Sequence, residues 1–117
     1  MLKKKEAFLK ILALELDDLD EDIKLLIESY KEKREHDEIT NYVFLHNLAT
    51  MQSELFGVEG LADDIEDIDI NEFDTLDNLV EHVKETLDHR LKHKGIVHSV
   101  MLLVERKINK ILKYLEH

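Results

Sequence analysis

One pattern limits this chain more than any other: Leu9, Leu12, Leu16, Leu19, Ile23, Leu26 and Tyr30 recur at spacings of 3, 4, 3, 4, 3 and 4 residues. That is an unbroken heptad seam, and an α-helix places such residues along one side. Phe8, Ile11 and Ile27 widen the seam into a stripe broad enough to face a core. The acidic run Asp17–Asp22 does not shift the seam's phase, so one helix from Lys3 to Arg34 is predicted. At 1.5 Å per residue it is about 48 Å long. A compact chain of 117 residues has a radius of gyration near ~13 Å, so this helix overhangs a spherical fold. The expectation is an elongated molecule, or excess helix covered by a second copy.

Nothing downstream interrupts the helical pattern. The chain has no proline, the residue that breaks helices by removing a donor and clashing with the turn before it. Asp37 or Thr40 is suited to cap a second helix. That helix carries one apolar stripe of Phe44, Leu48, Met51 and Leu55, and another of Tyr42, Leu45, Ala49 and Phe56. A helix apolar on two sides is expected either at the centre of the fold or at a subunit interface. Gly57 and Gly60 predict its end, with an acidic connector over 61–74. Asp74 then caps a third helix whose core face is Leu76, Leu79, Val80, Val83, Leu87 and Leu91. A last apolar series runs through Val97, Met101, Val104, Ile108, Ile111 and Leu115. Around Gly95 the chain either turns back, with Ser99 as a new cap, or kinks and continues. The hairpin is preferred. The predicted fold is all-α: an elongated antiparallel bundle of four helices, or of three with a long kinked C-terminal helix. Residues 1–114 are read as one domain, while Leu115-Glu116-His117 matches the start of a vector-derived tag.

Charge excludes some functions. Residues 35–83 hold 14 acidic side chains and no Lys or Arg, in a chain of net charge −11. Such a surface repels a phosphate backbone, so no nucleic-acid partner is expected. No apolar run approaches the ~18 residues that span a bilayer, and Lys3–Lys5 are not followed by an uncharged segment. No membrane association is expected, and the location is read as cytoplasmic. Without cysteine there are neither disulfides nor thiolate ligands.

Three chemical patterns remain. His82, His89 and His93 fall within about 40° of one another on a helix, and His89 and His93 form the i, i+4 pair that clamps a metal ion. His98, Asp88 and Glu85 lie close by in sequence, but Arg90, Lys92 and Lys94 oppose a cation there. No Glu stands three residues before any histidine, which disfavours a di-iron carboxylate bundle. In the connector, Asp67-x-Asp69-x-Asn71 resembles the first half of a calcium loop, but Glu72 occupies the glycine position and Asn78 that of the bidentate glutamate. Finally, Glu35-x-x-Glu38 and Glu66-x-x-Asp69 resemble the acidic pairs of all-α nucleotide pyrophosphatases. The resemblance covers those four positions, and it implies a Mg²⁺-dependent nucleotide pyrophosphohydrolase holding its metal on them. The functional expectations are therefore a non-enzymatic self-association or helical-partner module, then a divalent-metal-binding bundle, then that hydrolase. No cofactor is predicted beyond a divalent metal at the histidines.

Overall fold

The described residues of the computed structural model, 3–94 and 98–116, form four α-helices and no strand. They are α1 (Lys3–Glu35), α2 (Asn41–Glu66), α3 (Leu76–His89) and α4 (His98–Leu115). A 3₁₀ turn, Ile70–Glu72, interrupts the α2–α3 connection, and a π-helical turn, Arg90–Lys94, extends α3.

Local chemistry sets most boundaries. α1 ends in a Schellman motif: Glu38 N–H donates to Lys33 O at 2.8 Å and Asp37 N–H to Arg34 O at 3.1 Å. Asp37 takes the left-handed conformation that this motif requires, with φ of 57°. It therefore stops α1, and Thr40 alone caps α2, its Oγ1 accepting from Val43 N–H at 3.1 Å. Thr75, rather than Asp74, caps α3, accepting from Asn78 N–H at 3.1 Å. Asp74 is one residue too early for the first free amides. α4 already includes Ser99, so that residue is no cap; its hydroxyl donates instead to Glu54 Oε2 at 3.4 Å. The expected loop, apart from His98, lies outside the described residues, as does the terminal His117.

The expected end of α2 at its glycines is corrected: the helix continues through Gly57 and Gly60 to Glu66. Each helical glycine costs about 1 kcal/mol against alanine. Burial of Leu61 and Ile65 on the added turns returns about 1.5–3 kcal/mol apiece. Helix wins. The connector is shorter than predicted and is docked rather than free. Lys5 Nζ donates to the carbonyls of Phe73, at 2.5 Å, and Ile70, at 3.3 Å.

The helices run alternately up and down. Lys24 of α1 meets Glu59 of α2 at 3.6 Å, while Leu9 and Ala13 share a shallow recess with Ile65 and Ile68. Lys107 of α4 pairs with Glu15 of α1 at 2.7 Å. Leu112 and Leu115 line one recess with Lys4 and with Leu76 at the start of α3. α4 therefore returns to the end at which α3 begins, and the kinked-helix alternative is ruled out. The core joins Phe8, Leu12, Leu16 and Ile23 to Val58, Leu61 and Ile65, Leu79, Val83 and Leu87, and Val100, Val104, Ile108 and Ile111.

The bundle is four helices deep only at one end. Arg90, just past α3, sits beside Asp64, and Ser99, near the start of α4, is level with Glu54. Among the described residues, α1 and α2 continue beyond those levels as a two-helix arm. The molecule measures 56 × 30 × 19 Å with a radius of gyration of 16.6 Å, well above the compact value.

Candidate functional site

The histidines separate into two places. His82 is half-buried, its ring against Phe73 with centroids 5.0 Å apart. His89 and His93 are exposed neighbours, their ring centroids 4.9 Å apart. They border an open recess with Glu81, Glu85, Asp88, Lys84 and Lys92. Lys92 is already paired with Asp88 at 3.1 Å. Among the described residues, no group of three or more His, Asp or Glu side chains is arranged to hold a metal ion.

The acidic pairs do not converge either. Glu35 ends α1 and Glu38 lies in the turn before α2, whereas Glu66 ends α2 and Asp69 follows it. The whole of α2, 26 residues or about 39 Å of helix, stands between the two pairs. Asp69 is occupied locally, its carboxylate accepting from Asn71 N–H at 3.0 Å. A single ion cannot be shared across that span.

The feature that does assemble is the second stripe of α2. Phe44 and Met51 turn inward, and the Arg34 guanidinium stacks over the Phe44 ring at 4.0 Å. Tyr42, Leu45 and Phe56 point the other way and remain 79%, 52% and 62% exposed. Ala49, between them, is also exposed. The stripe is therefore not central, as one expectation had it; within the chain it is uncovered. Leu25 and Leu26 of α1 and Val43 of α2 add exposed apolar surface to the arm. The arm's chemistry is unlike the rest of the surface. From Ile39 to Ser53, fifteen residues pass without an Asp, Glu, Lys or Arg, in a chain that is 37% charged. Interface cores are depleted in charge and enriched in aromatic side chains in this way.

Two charged clusters set the framework below the arm. Arg90 is 8% exposed and donates to both carboxylate oxygens of Asp64, at 2.5 and 3.3 Å. Its guanidinium occupies the space where a Cβ on Gly60 would stand. Gly60 and Asp64, one turn apart, thus form a notch on α2 that anchors the end of α3. Sequence reasoning missed this pair, reading Arg90 only as a charge that opposes a cation at the histidines. The available signal was a glycine kept inside a helix four residues before an acid. In the second cluster, Asp20 stands beside Glu59 between α1 and α2 and holds the Glu59 carboxyl above the usual glutamate range; burial adds to this and Lys24 opposes it. Lys24 itself, paired with Asp20 at 2.9 Å, is raised chiefly by that hydrogen bond.

The chain matches no protein-family model, and no curated protein or solved structure is found to resemble it.

Proposed function

We propose that the chain is a non-enzymatic self-association module that meets a second copy of itself through the outward stripe of α2. One observation carries this: Tyr42, Leu45, Ala49 and Phe56 form an apolar face that stays in water while the opposite face of the same helix is buried. The two aromatic side chains account for much of the gain from covering it, because each removes about 150–250 Å² from water when fully buried. Charge restricts where a like partner can meet it. Two chains of net charge −11 repel over most of their surfaces. The stretch Ile39–Ser53, without Asp, Glu, Lys or Arg, is where they can approach without setting carboxylate against carboxylate.

Sedimentation equilibrium tests this. The wild-type chain is expected to be dimeric at micromolar concentration. Leu45→Glu places a charge in the contact and is expected to weaken the dimer about 100-fold, the ratio that ~2.7 kcal/mol of desolvation produces. Because Leu45 is half exposed in the single chain, the variant's helicity and melting as a monomer should match those of the unassociated wild type. A wild-type chain that stays strictly monomeric at high micromolar concentration would overturn the proposal.

A further inference from the structure

The outward stripe has a symmetry of its own. Tyr42, Leu45, Ala49, Gln52 and Phe56 are separated by 3, 4, 3 and 4 residues, the spacing of a coiled-coil seam. Ala49 lies seven residues from either aromatic. If two α2 helices are laid antiparallel with a twofold axis at Ala49, Tyr42 of each copy falls opposite Phe56 of the other. Leu45 then falls opposite Gln52 and Ser53. The residue on the axis is the smallest of the stripe, so the helices can approach at the short end of the usual ~8–10 Å separation. Such a contact is isologous, and it closes at two copies.

Charge selects the direction. Residues 61–77, at the four-helix end, hold eight carboxylates and no Lys or Arg. A parallel pairing of the arms sets those two acidic ends side by side. An antiparallel pairing sends them to opposite ends of the dimer. It sets against each acidic end only the arm tip of the other copy, where residues 28–38 hold five carboxylates and three Lys or Arg, a weaker repulsion than that of two acidic ends. The α2 dipoles oppose one another in the same arrangement, which is favourable.

We infer that two copies pair as an antiparallel twofold dimer, α2 against α2 about Ala49, with Tyr42 packed on Phe56 of the second copy. This geometry rests on the self-association proposed above. The chain has no cysteine of its own, so single cysteines report on it without interference. A disulfide needs Cα atoms within about 7 Å. On mild oxidation, Ala49→Cys is expected to convert most of the protein to a covalent dimer. Tyr42→Cys and Phe56→Cys are each expected to stay uncrosslinked alone and to crosslink when mixed. Self-crosslinking of Tyr42→Cys and of Phe56→Cys would mean a parallel dimer and overturn the geometry. So would an Ala49→Cys protein that sediments as a dimer yet fails to crosslink, and in both cases self-association itself would survive. A monomer by sedimentation removes both.

Discussion

Arg90 is the one charged side chain buried among the described residues, and Gly60 makes its position available. Gly→Ala inside a helix ordinarily stabilises by up to ~1 kcal/mol. At residue 60 the sign is expected to reverse, because the new Cβ must displace a guanidinium held by Asp64 through two hydrogen bonds. Losing one partner of a fully buried pair costs about 3–5 kcal/mol; with Asp64 31% exposed the loss is smaller, and displacement costs part of it. Gly60→Ala should therefore lower stability by about 1–2 kcal/mol, read from urea denaturation. A gain in stability would show that the guanidinium moves aside freely. At Glu59 the prediction concerns pH. Its carboxyl is raised by Asp20 beside it, so the folded chain holds that proton more tightly than the unfolded chain does. The stability tied to it is complete below the usual glutamate range and is lost as pH rises through the elevated value. At neutral pH two facing carboxylates remain. Glu59→Gln should raise Tm at pH 7, and the difference should close as pH falls towards 4. An equal shift at both pH values would refute the link to Asp20. Glu15 acts in the opposite sense: the hydrogen bond from Lys107 lowers its carboxyl, so its contribution is complete at neutral pH and lost in acid. The Arg90–Asp64 pair was not legible in sequence, because its members lie 26 residues apart and only packing makes them partners. The capping residues were half legible. Asp37, Thr40, Asp74 and Thr75 all suit a cap, and the choice fell to a shift of one or two residues that propensity does not resolve.

α1 is one helix with two environments. Its first two-thirds buries Phe8, Leu12, Leu16 and Ile23 in the four-helix core, whereas Ile27, Tyr30 and Arg34 of the last third are only half-buried, Arg34 over the Phe44 ring of α2. The heptad phase is continuous through both, which is why the sequence reading of Lys3–Arg34 comes within a residue of the observed end at Glu35. Phase does not reveal how many neighbours a seam will have. Local stability follows neighbours and buried area. Amides over 27–50 are therefore expected to exchange hydrogen faster than those over 8–20 and 58–65 in dilute protein. Protection of 42–53 should then rise as concentration is increased and the second copy covers the outward stripe. Uniform protection along α1 at all concentrations would contradict both statements. α2 was the element read least accurately. Its glycines look like terminators in sequence, but the helix runs through both, and Gly60 became a notch because Arg90 at the end of α3 packs against it.

The 33-residue length of α1 is what stretches the molecule, since its ~50 Å of helix nearly matches the 56 Å long axis. α3 and α4, at 14 and 18 residues, cannot cover it, and the arm is the remainder. Sedimentation of the Leu45→Glu monomer reads this shape directly, and it should sediment more slowly than a sphere of its mass. Helical class, the extent of α1, its elongation and the two stripes of α2 were all determined by the sequence itself. Each depends on periodicity and length, which are properties of neighbouring residues. Tertiary structure alone decided the reversal after α3, the Gly60–Asp64–Arg90 anchor and the distance between the two acidic pairs. It also decided that the second stripe of α2 lies in water. These depend on which distant residues share space, and a chain rich in acids and heptads offers many pairings that only packing and shape can discriminate.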